Sequence, residues 1–247
     1  MSRSGSITRF SMWSGPRNIS TAMMRSFGNR PDCTAVDEPF YAFYLKETGL
    51  EHPMRDEVLA SQPQNWQDVL SQMEDTLPEK TKILYLKHMT QHMLPQIDLS
   101  HMTEHTHCFL IRDPRLVIAS FSQKWDQVDA SSTGFQQQME LFEYFCQHSE
   151  KSPVIVEGED IQNSPDDMLK KLCATCDIPF SDKMLGWSAG KKPEDGIWGA
   201  HWYNAVESST GFAPYSPKEV ELTSEQETLA RQLEPIYLEL KSGKLTL

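Results

Sequence analysis

Two stretches pair a basic side chain with hydroxyls at spacings that suit a bound anion. In Ser14-Gly15-Pro16-Arg17-Asn18-Ile19-Ser20-Thr21 a tight turn leads into a helix that opens on Ser-Thr. Such a turn offers free backbone N–H groups and the positive end of a helix dipole, and Arg17 adds a full charge. In the second stretch, Arg112-Asp113-Pro114-Arg115, Ser120 follows Arg112 by eight residues, roughly two helical turns. A guanidinium fork and a hydroxyl at that separation can meet one phosphate. Taken singly, each stretch has a plainer reading: a surface arginine can flank any strand–turn–helix, and Arg112 can pair with Asp113. The first loop also lacks the Gly-Lys-Ser/Thr of a Walker A motif, with Asn18-Ile19 in its place. That disfavours phosphoryl transfer from ATP.

The elements that must carry these residues alternate along the chain. Short apolar or alternating runs predict strands at 7–14, 33–37, 82–87, 107–112 and 153–157. Helices are expected at 19–28, 65–77, 114–124, 133–148, 165–175 and 224–241. Two starts are marked: Ser164-Pro165-Asp166-Asp167 by an N-cap and first-turn proline, and Thr223-Ser-Glu-Gln226 by a capping box. Alternation of this kind predicts an α/β sandwich of three layers with a central parallel sheet, a single domain over residues 1–247. Ligands of such sheets sit beyond the carboxyl ends of the strands. Residues 45–66 are polar and less regular. Residues 186–217, with Trp187, Trp198 and Trp202 among glycines and prolines, read as a lid or binding loop.

Composition narrows the partners. The 23 Lys and Arg against 35 Asp and Glu give a net charge of −12, which argues against nucleic acid and anionic membranes. No apolar run approaches the roughly 20 residues of a bilayer helix. Residues 1–31 nonetheless hold Arg3, Arg9, Arg17, Arg25 and Arg30 and no acid. The strand-like Ile7–Trp13 and the Gly15-Pro16 break make this start the first element of a fold, not a transit peptide. Five cysteines at irregular spacing suit a reducing, cytoplasmic setting. Cys173-Ala-Thr-Cys176 has no second pair, and no cluster with metal-ligand spacing appears.

Together, in this order and spacing, the two anion sites resemble sulfotransferases that use 3′-phosphoadenosine-5′-phosphosulfate (PAPS), a family with a P-loop NTPase-like fold. The chain is most similar to a bacterial and plant sulfotransferase-like group labelled after branched-chain aminotransferases. That similarity includes Asp37-Glu38-Pro39-Phe40-Tyr41, Leu86-Lys87-His88-Met89 with His92, and Gly196-Ile197-Trp198 with Trp202-Tyr203. No pyridoxal-phosphate lysine motif supports the aminotransferase label. The resemblance implies that Arg17, Asn18, Ile19, Ser20 and Thr21 bind the 5′-phosphosulfate and that Arg112 and Ser120 bind the 3′-phosphate. It implies PAPS as donor, 3′,5′-phosphoadenosine (PAP) as product, no metal, and a small hydroxyl or amine acceptor. The loop departs from the family's Pro-Lys/Arg-Ser-Gly-Thr-Thr at Asn18-Ile19.

Sulfuryl transfer needs a base for the acceptor's proton and cations for the moving charge. Glu38 and His88 both follow strands and both qualify. The imidazole has the better unperturbed pKa, whereas the Asp-Glu-Pro-Phe-Tyr context favours Glu38. Lys87 is a candidate for stabilising the transferring group, and Trp198 for stacking on adenine. Two alternatives stay open: a P-loop kinase of a nucleotide or small metabolite, and a nucleotide-binding protein without turnover.

Overall fold

Strand formation follows the apolar runs closely. The computed structural model describes residues 7–74, 77–125, 128–216 and 219–247. Its strands are β1 (Thr8–Ser14), β2 (Cys33–Asp37), β3 (Ile83–Met89), β4 (Thr106–Ile111) and β5 (Val154–Glu157). They form one parallel sheet in the order β2-β3-β1-β4-β5. The crossovers carry α-helices, as is usual between parallel strands, except from β3 to β4, where Thr90–His92 and Leu99–Met102 form only short 3₁₀ turns. In chain order the helices are α1 (Ser20–Gly28), α2 (Tyr41–Thr48), α3 (Arg55–Ser61), α4 (Trp66–Glu74), α5 (Pro114–Phe121) and α6 (Ala130–Thr133). Then follow α7 (Phe135–His148), α8 (Gly158–Asn163), α9 (Pro165–Thr175), α10 (Gly199–Trp202), α11 (Asn204–Glu207) and α12 (Ser224–Ser242). Among the described residues no helix is long and apolar enough to cross a membrane.

The two-residue period of the strands splits the core in two. Phe10, Met12, Ile83, Tyr85, Cys108 and Leu110 face α1, α2 and α9. Trp13, Leu84, Leu86, Phe109, Ile111 and Ile155 face α7 and α12. Several expectations need adjusting. The polar stretch at 45–66 contains α3 and the end of α2, because Val58 and Leu45 each bury in the core cluster on one side of the sheet while most of the remaining surface stays polar. The helix expected over 65–77 runs from Trp66 to Glu74, and residues 75 and 76 lie outside the described residues, as does Arg3. The capping box at Thr223 forms, with Gln226 N–H donating to Thr223 Oγ1 at 3.3 Å and Thr223 N–H to Gln226 Oε1 at 3.0 Å. Ser164 does not cap α9 with its side chain; its hydroxyl donates to Asp167 instead.

Candidate active site

The loop after β1 is shaped by contacts that few side chains would permit. A Cβ on Gly15 would lie 2.5 Å from the backbone oxygen of Thr133. Arg17 then takes a left-handed φ of 58°, uncommon outside glycine. Its carbonyl accepts from the Arg112 guanidinium, and its own Nε donates to Ser120 Oγ at 3.0 Å. Asn18 braces the turn, donating from Nδ2 to the Leu110 carbonyl at 3.0 Å while Oδ1 accepts from the Ile19 N–H at 3.0 Å. The helix that follows, α1, starts without a side-chain cap and without an acid in its first turn. Its first amides therefore point unneutralised into a cavity of about 330 Å³, within the roughly 300–1,000 Å³ of small-molecule sites.

Arg112 lies just past β4, and Ser120 is in the last turn of α5. The family resemblance places Arg17 and Ser120 on different phosphate groups; the fold joins them by a hydrogen bond, so the two anion sites are one wall. Arg17, Asn18, Ile19, Ser20, Arg112 and Ser120 all line the cavity, as does Thr21. Among the described residues neither Arg17 nor Arg112 forms an ion pair with a carboxylate. Burial lowers the pKa of both, and Arg112 lowers Arg17 further. The other described arginines of the N-terminal stretch are spent or distant: Arg25 pairs with Asp195 at 2.7 Å and Arg30 with Asp32 at 2.9 Å, and Arg9 does not line the cavity.

Opposite this wall, β2 and β3 deliver a charged cluster. Asp37 and Lys87 are register partners, and the chain turns at Glu38 with a φ of 42°. Gln62 holds that turn, donating to the Glu38 carbonyl at 3.1 Å. The Lys87 ammonium donates to Asp37 Oδ1 at 2.8 Å, Glu38 Oε1 at 2.5 Å and the Tyr203 hydroxyl at 2.8 Å. Three donors meet three acceptors, so in this arrangement Lys87 has none left for a transferring group. Burial alone would depress Lys87, but the two carboxylates outweigh it and hold the ammonium above its ordinary pKa. Burial pushes Glu38 up despite Lys87. Two carboxylates share one ammonium, leaving one negative charge in excess, and Glu38 lines the cavity. Its Oε2 hydrogen-bonds to none of the described residues and stands 4.0 Å from Nδ1 of buried His92. That imidazole is stacked between Tyr41 and Tyr44, with ring centroids 4.6 and 4.7 Å away.

Two expectations about this side change. His88 does not reach the cavity: next to Lys87 on the same strand, it must point through the opposite face. There it stacks on Trp13 at 4.2 Å, and neither ring nitrogen finds a partner among the described residues. Trp198 is buried and lies outside the cavity lining; its Nε1 donates to the Tyr203 hydroxyl at 3.1 Å. Trp202 and Phe212 line the cavity in its place, within the 186–217 segment. Trp187 packs against Phe212 and donates to Ser209. Sequence reasoning did not single out Asp37 and Tyr203 as partners of Lys87. The aligned ends of neighbouring strands could have suggested Asp37; only the fold brings Tyr203 across.

A parallel five-stranded sheet with an anion-ready loop after its first strand defines a P-loop NTPase-like α/β protein. A family model described as "Sulfotransferase domain" matches residues 8–243, and the chain belongs to that family. It is 36% identical over 233 residues to "Branched-chain-amino-acid aminotransferase-like protein 1" of Arabidopsis thaliana, covering 93% of this chain and 41% of that protein. The chain thus spans less than half the length of this curated relative. The sulfotransferase domain from the curacin biosynthetic pathway superposes with a TM-score of 0.57 at 18% identity, covering 94% of this chain and 99% of that one. A sulfotransferase from Alicyclobacillus acidocaldarius does so with 0.56 at 10% identity, covering 98% and 96%. At these identities the structural likeness is one of fold.

Proposed function

We propose that this chain moves a sulfuryl group from PAPS to the hydroxyl or amine of a small acceptor. The observation that carries the proposal is the wall of Arg17, Arg112 and the uncapped start of α1, two half-buried cations without a carboxylate in ion-pair range among the described residues. A cation partly withdrawn from water gains from an anionic partner, and a multiply phosphorylated nucleotide supplies what this wall lacks. When bound, PAPS provides the activated sulfuryl group and leaves as PAP. In our reading the backbone N–H groups of Ser20 and Thr21, with Arg17, hold the 5′-phosphate and neutralise charge as the bridging bond breaks. Arg112 and Ser120 hold the 3′-phosphate. Glu38 Oε2 takes the acceptor's proton as its oxygen or nitrogen attacks sulfur in line, and Lys87 keeps Glu38 aimed. The balance is acceptor–H plus PAPS giving sulfated acceptor, PAP and a proton that resides on Glu38 until solvent removes it. Positioning and charge neutralisation supply most of the rate.

Thermal shift separates the possibilities. PAP should raise Tm, and labelled PAPS with a metabolite extract should give a labelled product. Stabilisation by Mg-ATP with no effect of PAP would overturn the proposal in favour of a kinase. PAP binding without turnover of any acceptor would leave a nucleotide-binding protein.

A further inference from the structure

Tyr203 stands at a junction that nothing in the sulfuryl-transfer reading requires. Its hydroxyl donates to Asp37, with Oδ2 at 2.7 Å, and accepts from Lys87 at 2.8 Å and from Trp198 at 3.1 Å. One donor and two acceptor positions are all filled. The same segment touches Asp37 a second time, through the Gly196 N–H at 3.0 Å from Oδ2. Packing leaves the phenol little freedom. A Cβ on Gly199 would sit 2.9 Å from the Tyr203 ring, and one on Gly196 2.0 Å from the Trp198 ring. Asp195, one residue before Gly196, is tied to buried Arg25 of α1. Residues further along the segment, including Val206, Ser209 and Phe212, share the cavity with Arg17 and Ser20. A single stretch therefore borders the anion wall and closes the carboxylate cluster.

We propose that Tyr203 is a positioning residue for Glu38: its hydroxyl saturates Lys87 and Asp37, so Glu38 is held in its working state only while the 195–213 segment is seated. Without that hydroxyl, Asp37 loses a donor and Lys87 gains a free one. The excess negative charge of the cluster is then less well stabilised, and its proton affinity rises. Seating of the segment on a bound anion and readiness of the carboxylate become one event. The role of Glu38 as base rests on the sulfuryl-transfer reading; its hydrogen-bonded tie to Tyr203 through Lys87 does not.

The test is a carboxyl titration in Tyr203→Phe. With ¹³C-labelled glutamate, the Glu38 resonance is the one lost in Glu38→Gln, and its midpoint is followed by NMR against pH. The midpoint should rise by roughly half a pH unit, the size expected for loss of one neutral hydrogen bond. Trp198→Phe, which removes a donor to Tyr203 while keeping the phenol, should move it in the same direction by less. If Tyr203→Phe fails to fold, that smaller shift alone decides. In the active enzyme, kcat should fall while KM for the donor stays constant. A folded Tyr203→Phe with an unmoved Glu38 midpoint overturns the proposal. A moved midpoint in a protein that never turns over PAPS would sink the sulfuryl-transfer reading and leave the positioning role standing.

Discussion

Replacing His88 by phenylalanine should flatten the acid side of the stability curve by an amount the structure fixes. His88 is fully buried between Trp13 and Phe40, with ring centroids at 4.2 and 5.9 Å. Burial drives its pKa well below the ordinary value, and His105 and His107 add to the effect. The unfolded ring takes up a proton below about pH 6.5, whereas the folded one stays neutral, so the unfolded state binds more protons and stability falls as pH drops. Between pH 7.5 and 5.5 this amounts to about 1.4 kcal/mol for one such ring. His92 is lowered for the same reason, and burial takes His105 down to about 4 and His107 to about 3. Four rings together remove roughly 6 kcal/mol by pH 5.5, a large share of a typical domain's roughly 5–15 kcal/mol. Urea unfolding at the two pH values measures the effect. The difference between wild type and His88→Phe should change by about 1.4 kcal/mol from one pH to the other, whatever the packing offset. Nucleotide binding and transfer should persist, because the ring does not touch the cavity. An unchanged pH slope would refute the neutral, buried imidazole; loss of transfer with binding intact would return His88 to the list of bases.

Other variants probe the cavity directly. Arg112→Ala removes a charged partner of the anion and the brace on the Arg17 carbonyl; the loss of about 2 kcal/mol should weaken PAP roughly thirtyfold in calorimetry. Glu38→Gln should keep PAP affinity and lower transfer by about 10²–10⁴-fold. With Glu38 as the base, as proposed, kcat/KM of the unmutated chain should fall on the acid side with a limb above the ordinary glutamate value, since burial raises Glu38 and protonation would remove that base. Gly15→Ala forces a Cβ against the Thr133 carbonyl, and thermal denaturation should show a loss of about 2 kcal/mol, roughly 4–8 °C in Tm.

The sheet was legible because β3 and β4 are buried on both faces and read as apolar runs, while β1 alternates, and the strand ends pointed to Arg17, Glu38, Lys87 and Arg112. Strand parity also separates Lys87 from His88. Lys87 and His88 are consecutive in β3, so only one of them can face the cavity, and whichever pairs beside Asp37 must be the one. Parity does not say which face the cavity occupies. That depends on α1 and the 186–217 segment covering the same side, a long-range matter with no local signature. Trp198 misled for a related reason. Its type suits adenine stacking, but Gly196 makes room for the ring beneath the segment, and half-buried Trp202, four residues on, takes the cavity-lining position.

Backbone strain is the part of the site no pattern announced. Among the described residues only Arg17, Glu38, Met54 and Asp177 have positive φ without being glycine, and two of the four border this cavity. Such conformations cost on the order of 1–3 kcal/mol each, and neither arginine nor glutamate advertises them as glycine or asparagine would. Each is held by a specific bond to its carbonyl, from Arg112 in one case and Gln62 in the other. For Arg17 the bond comes from a residue of the anion wall itself. An anion that drew the Arg112 fork away from the loop would release the turn that aims Arg17. The two arginines are therefore expected to engage the ligand together, with Arg112 spending one N–H on the loop and offering the rest.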